Sequence, residues 1–163
     1  MKIIIVGCGK VGDLLTSYIA GEGHDVVVVD TDQEIIENVV NEYDVMGVVG
    51  NGASNAVQLE AGADKAKLLI AVTASDELNI MCCMVARKLG TRHTIARVRN
   101  PEYADQISFM RREFGLSMAV NPEFDAAQEI QRIIRFPAAL RIDTFSKGGV
   151  ALVEVKLDEG HPM

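Results

Sequence analysis

The stretch Gly7-Cys8-Gly9-Lys10-Val11-Gly12 sets three glycines in G-x-G-x-x-G spacing directly behind the β-branched run Ile3 to Val6. Glycines of this kind punctuate many turns, so the flanking pattern decides what they mean. Here the turn leaves a strand pattern and opens an amphipathic one: Val11, Leu14, Leu15, Tyr18 and Ile19 recur at i, i+3, i+4, i+7 and i+8. The next apolar run, Val26 to Val29, ends in Asp30, close to the spacing of about twenty residues that a dinucleotide-binding βαβ unit requires. Such glycines let the backbone approach a pyrophosphate, whose charge then sits at a helix N-terminus. A carboxylate at the end of the second strand accepts hydrogen bonds from a ribose diol and repels a 2′-phosphate. The following Thr31 offers no replacing cation, so NAD is favoured over NADP. The competing reading is a glycine-rich strand-to-helix turn with no ligand.

The rest of the chain repeats the alternation. Short apolar or β-branched runs at 2–6, 25–29, 45–49, 68–72, 94–98 and 117–120 read as strands covered on both faces. Helical stripes lie between them, for example Ile35, Ile36, Val39 and Val40, then Leu78, Met81, Cys82, Val85 and Leu89. This order predicts an α/β fold, a Rossmann-type doubly wound parallel sheet of six strands. Asn100-Pro101-Glu102 and Asn121-Pro122-Glu123 repeat one helix-start signal, an N-cap Asn with Pro and a carboxylate in the first turn. The second opens a crossover helix carrying Phe124, Ala127, Ile130, Ile133 and Ile134, which ends at Phe136-Pro137. Residues 1–135 are therefore expected to form the nucleotide-binding domain. Residues 136–163 are expected to form a linker and the start of a second small module, two strands around the Gly-containing turn Ser146 to Gly149.

Composition narrows the function class. With 16 basic and 23 acidic residues in 163, the net charge of −7 argues against a nucleic-acid platform and against a polybasic grip on anionic lipid. No apolar run is long enough for a bilayer span or a signal segment, so a cytoplasmic chain is expected. Cys8, Cys82 and Cys83 lack C-x-x-C spacing and read as small buried thiols, with Cys82 and Cys83 about 100° apart on a helix and not sharing a face. His24, His93 and His161 have no partner at ligand spacing, so no metal site is expected.

Ligands of open α/β sheets lie beyond the carboxyl ends of the strands, which selects further candidates. In Gly50-Asn51-Gly52-Ala53-Ser54, Asn51 can read an adenine edge or serve as a turn and cap. In Thr73-Ala74-Ser75-Asp76-Glu77, Thr73 can approach the cofactor, whereas Ser75 or Asp76 can cap the next helix. Arg97 and Arg99 flank Val98 on one face, either turned to phosphate or left as surface cations, and Lys10 is the best single counter-charge for a phosphate. No Tyr-x-x-x-Lys pair and no His–Asp pairing accompanies them, so the nucleotide is expected to be read rather than used.

Taken in order, Gly7 to Gly12, Val26 to Asp30, Gly50 to Ser54, Ala71 to Asn79, Ile95 to Arg99 and Asn121-Pro122-Glu123 resemble the TrkA family, over roughly residues 1–140. That family comprises cytosolic regulatory subunits of Trk/Ktr potassium uptake systems, built on the module called RCK or KTN. The resemblance implies a Rossmann domain binding NAD(H) or ATP/ADP and passing the bound state to a membrane-embedded Trk/Ktr-type potassium channel subunit. It implies a homodimer or larger ring, held at the inner face of the cell membrane through that partner. It also implies a nucleotide site along Gly7, Cys8, Gly9, Lys10, Val11, Gly12, Asp30, Thr31, Asn51, Gly52, Thr73, Ala74, Asp76 and Arg97, with Glu123 near a terminal phosphate or its cation. Lys10 stands where many relatives carry Arg; the charge is kept and the planar fork is lost. The segment Arg135 to Leu140 is similar to the family's link into a C-terminal ligand-binding subdomain, so a longer parent chain is expected. The rival readings are a fragment of an NAD-dependent oxidoreductase and an NAD-binding module of another transporter or exporter.

Overall fold

A computed structural model describes residues 1–104, 106–135, 139–145 and 150–155. The expected helix end at Phe136-Pro137, the turn Ser146 to Gly149 and His161 lie outside the described residues. The chain divides into two units, residues 1–121 and 122–163.

In the first unit strands and helices alternate as β1 (Lys2–Val6), α1 (Lys10–Gly21), β2 (Asp25–Asp30), α2 (Gln33–Tyr43), β3 (Met46–Val49), α3 (Asn55–Glu60), β4 (Leu68–Ala71), α4 (Asp76–Leu89), β5 (His93–Arg97), α5 (Pro101–Ala104), α6 (Ile107–Phe114) and β6 (Met118–Val120). All six strands pair in parallel in the order β3-β2-β1-β4-β5-β6, as the alternation predicts. Ile3 and Ile5 enter one apolar layer with Val26 and Val28, while Ile4 and Val6 enter the other with Val27 and Val29. Alternate residues thus leave opposite faces of one strand, and both faces are buried. Helices α1 and α2 cover the first layer, and α3, α4 and α6 contribute to the second. Each Ile or Val so buried contributes about 1.5–3 kcal/mol.

Two helical faces differ from the sequence expectation. In α1 only Val11, Leu15 and Ile19 of the predicted stripe pack inward, and Leu14 and Tyr18 are exposed. The face is centred on buried Gly12 and Thr16, which bring the helix close to the sheet and leave positions 14 and 18 on the far side. In α4 the buried stripe runs through Asn79, Cys82, Cys83 and Ala86, at i, i+3, i+4 and i+7, and Met81 is exposed. Both cysteines therefore share one buried face, because a core-facing stripe spans 100° or more. All three thiols are free and buried.

Local chemistry sets the helix ends. Asp32 caps α2 by accepting from the N–H groups of Glu34 and Ile35, and Ser75 caps α4 by accepting from Leu78. The helix predicted from Pro101 is two pieces, α5 and α6.

The second unit holds α7 (Pro122–Arg135), β7 (Ala139–Phe145) and β8 (Val150–Val155). The two strands pair antiparallel, from Phe145 opposite Val150 to Ala139 opposite Val155. The apolar residues Phe124, Ile130, Ile133 and Ile134 of α7 are exposed.

Candidate functional site

β1 pairs with β2 on one side and β4 on the other, so the chain reverses its direction of travel across the sheet at this point. The loops leaving β1 and β4 diverge there and open a crevice beyond the carboxyl ends of the strands. It has a volume of about 480 Å³.

The glycine turn forms one wall. Gly7 has φ of +94°, and a Cβ there would stand 2.8 Å from the backbone nitrogen of Thr73. A Cβ on Gly12 would stand 1.8 Å from the carbonyl oxygen of Gly7, so the third glycine lets α1 start against the turn. Gly9, by contrast, has nothing within 4 Å of its Cβ position. It is the N-cap of α1 and has no side-chain hydrogen bond, so the first-turn amides are not capped by a side chain. The turn is therefore tight where it must pack and open where a ligand's phosphates would approach.

Asp30 forms the rim. Its Oδ2 accepts the backbone N–H of Cys8 at 2.7 Å, and its Oδ1 accepts that of Asp32 at 3.1 Å. The Asp30 carbonyl accepts the N–H of Gly50 at 2.7 Å, which joins the rim to the loop after β3. In that loop Asn51 Oδ1 accepts the N–H of Ala53 at 2.9 Å, so Asn51 both lines the crevice and shapes its own turn. A Cβ on Gly52 would meet Val6 Cγ1 at 2.2 Å and Cys82 Sγ at 3.2 Å, which presses this loop onto the core.

Two fully buried amides hold the loops in place. Gln58 Nε2 donates to the carbonyls of Gly52 at 2.6 Å and Cys82 at 2.9 Å. Asn79 Oδ1 accepts from the N–H and the hydroxyl of Thr73 at 2.8 and 2.7 Å, while its Nδ2 donates to the carbonyls of Thr73 and Arg97. Both amides tie a crevice loop to α4.

Of the expected site residues, Gly7, Gly9, Asp30, Thr31, Asn51, Gly52, Thr73 and Ala74 line the crevice. The others take different places. Cys8 is buried beneath the turn, and burial together with Asp30 and Asp13 pushes its thiol up to about 12. Val11 packs into the core and Gly12 is buried, while Lys10 is exposed at the start of α1. Asp76 is buried, with its carboxylate engaged by Arg99 and Asn100. Arg97 lies at the end of β5 outside the lining, and Glu123 belongs to the second unit.

The sequence reading missed the apolar walls Val6, Val29, Ile35, Val72 and Leu78. Ile35 and Leu78 are first-turn residues of helices following β2 and β4, a position that could have marked them, but their periodicity reads as core. Such walls suit the flat face of a base, with few polar groups fixing its orientation. Near Ser75, Glu77 accepts from the Tyr103 hydroxyl at 2.7 Å and the Ser75 hydroxyl at 2.8 Å. The Tyr103 bond, then its own backbone N–H and Ser75, hold the Glu77 carboxyl down at about 2.

The family model described as the TrkA-N domain matches residues 3–122. The chain is 37% identical over 160 residues to the Trk system potassium uptake protein TrkA homolog of Archaeoglobus fulgidus, covering 98% of this chain and 36% of that protein. It thus spans little more than a third of the length of the curated relatives it matches. Among solved structures, the TrkA-N domain of inner membrane protein ybaL from Escherichia coli matches with a TM-score of 0.71 at 25% identity, covering 82% of this chain and 96% of that one. The GsuK channel bound to NAD matches with a TM-score of 0.62 at 20% identity, covering 88% of this chain and 24% of that one. The same channel bound to ADP matches with a TM-score of 0.58 at 21% identity, covering 74% and 31%.

Proposed function

This chain belongs to the TrkA-N domain family, and we propose that it is the nucleotide-sensing part of a regulatory subunit for a potassium uptake system. It binds NAD(H) or ATP/ADP in the crevice and passes the bound state to a membrane potassium channel partner. The observation that carries this reading is Asp30. Its carboxylate is held at the rim by two backbone amides, beside a turn that is open at Gly9 alone of the three glycines.

Each residue then has a task. The first-turn amides of α1 hold a pyrophosphate, which the helix dipole favours. Lys10, exposed at the same helix end, supplies a counter-charge. Asp30 accepts from the ribose hydroxyls and disfavours a 2′-phosphate. Ile35 and Leu78 offer apolar surface to the base, and Asn51 orients it. Arg97, at the end of β5, responds to phosphate, and Glu123 senses the phosphate of a neighbouring chain's nucleotide. The bound nucleotide supplies a signal rather than a reactive group, so the chain is not an enzyme.

A signal of this kind needs two geometries with different affinity for the ligand. The exposed apolar stripe of α7 supports self-association into a dimer or larger ring, which offers such geometries. The relatives' potassium uptake role and the GsuK neighbour support a membrane channel as the partner, approached from the cytoplasm. Calorimetric titration with NADH, NAD, ATP and ADP tests the reading. Saturable binding of at least one is expected, and failure of all four would overturn it.

A further inference from the structure

Asp76 lies between the lining residues Ser75 and Leu78 without lining the crevice itself, at the first position of α4, with its side chain buried. Its Oδ2 accepts two backbone N–H groups, of Arg99 at 2.8 Å and of Asn100 at 2.7 Å. Its Oδ1 faces Arg99 Nε at 3.4 Å. The Arg99 guanidinium donates back to the carbonyl of Ala74, a crevice residue. The Arg99 carbonyl in turn accepts from Asn121 Nδ2 at 2.9 Å, and Asn121 is the last residue of the first unit. A second tether runs alongside: Ser75, also in the lining, and Tyr103 both donate to Glu77. An unbroken run of polar contacts therefore joins the crevice wall at 73–75 to the point where the first unit ends.

From this we propose that Asp76 is a positioning residue through which occupancy of the crevice is felt at Asn121. The proposal rests on the nucleotide reading above. A buried carboxylate holding two main-chain donors makes short, charge-assisted bonds with little freedom to rearrange. A ligand that orders Thr73, Ala74 and Ser75 orders Asp76, which follows them directly in the chain. Asp76 fixes the backbone at 99–100, and Asn121 grips that backbone. Asp76 needs no contact with the ligand for this role, which suits its place outside the lining.

Amide hydrogen exchange on the whole chain, with and without saturating NADH, NAD, ATP or ADP, tests the coupling. A nucleotide that slows exchange at 7–12 should also slow it at 99–100 and at 118–121, by about tenfold. Asp76→Ala should keep the slowing at 7–12 and reduce that at 118–121 below about twofold. Asp76→Asn should retain it, because the amide oxygen can still accept both N–H groups. Asn121→Ala, outside the lining, should lose the response at 118–121 while 99–100 still respond, and it decides the matter if Asp76→Ala fails to fold. The coupling is overturned if 118–121 stay unchanged in the parent chain while 7–12 slow. It is equally overturned if the response at 118–121 survives in Asp76→Ala or Asn121→Ala. Absence of slowing at 7–12 with every nucleotide overturns the nucleotide reading itself.

Discussion

The carboxylate of Asp30 accepts the backbone N–H of Cys8 across a separation of 22 residues, so the end of β2 and the turn after β1 are built as one piece. A carboxylate has about four lone-pair sites, and the bonds to Cys8 and Asp32 leave it able to accept from a ligand. Asp30→Ala should weaken nucleotide binding by at least tenfold, since each hydrogen bond to a charged acceptor contributes about 1.5–3 kcal/mol. Calorimetry checks this, and it should also show NADP binding more weakly than NAD to the parent chain. An affinity unchanged in Asp30→Ala would place the ligand elsewhere.

The glycines separate folding from binding. Gly12→Ala sets a methyl 1.8 Å from a backbone carbonyl and should lower stability by about 2–3 kcal/mol in a urea melt. A Cβ at Gly9 meets nothing within 4 Å, so Gly9→Val should cost the melt only about 1 kcal/mol, the penalty of Val at an N-cap, while abolishing nucleotide binding.

Glu77 carries a pH signature. Its carboxyl is held at about 2 in the folded chain against an ordinary value of 4.5. A depressed carboxylate favours the folded state above the ordinary value, and that contribution is lost as pH falls from about 4.5 towards 2. Tyr103→Phe removes the leading cause, so the Glu77 titration should move up towards 4.5 when followed by carbonyl NMR. The Tyr103 hydroxyl, raised first by the same bond, should titrate higher in the parent chain than in a Glu77→Gln variant.

The α7 stripe gives an assembly test. Ile130→Asp with Ile134→Asp changes two exposed positions and should leave the thermal melt of the first unit almost unaltered. Light scattering should then show a monomer where the parent chain is a dimer or larger. A parent chain that is itself monomeric at tens of micromolar would remove the assembly from the proposed function.

The sheet was legible because parallel strands buried on both faces read as continuous runs, and Val26 to Val29 can be little else. Asp30 was legible because its distance from Gly7 has a chemical meaning. Gln58 and Asn79 were not. Each works through carbonyls brought near by the fold, 24 residues away in the case of Cys82 and 18 in that of Arg97. Nothing in a buried Asn or Gln announces such a partner. Asp76 failed for the opposite reason, since an acidic residue at a helix start suits a cap, a ligand group or a strut equally well. Leu14 and Tyr18 satisfied the helical period and still face outward, because small Gly12 and Thr16 define the contact face.

The strand order also governs how the chain must behave while it is being made. β1 finds β2 within the first thirty residues, but its other edge waits for β4, which ends at Ala71. At about 5–20 residues per second, the interval between completing β3 at Val49 and completing β4 lasts on the order of one to a few seconds. Throughout it the apolar run Ile3 to Val6 presents an unpaired edge of the kind that recruits strands from other molecules. The nascent half-sheet is therefore a species exposed to aggregation, of the kind a holding chaperone would meet.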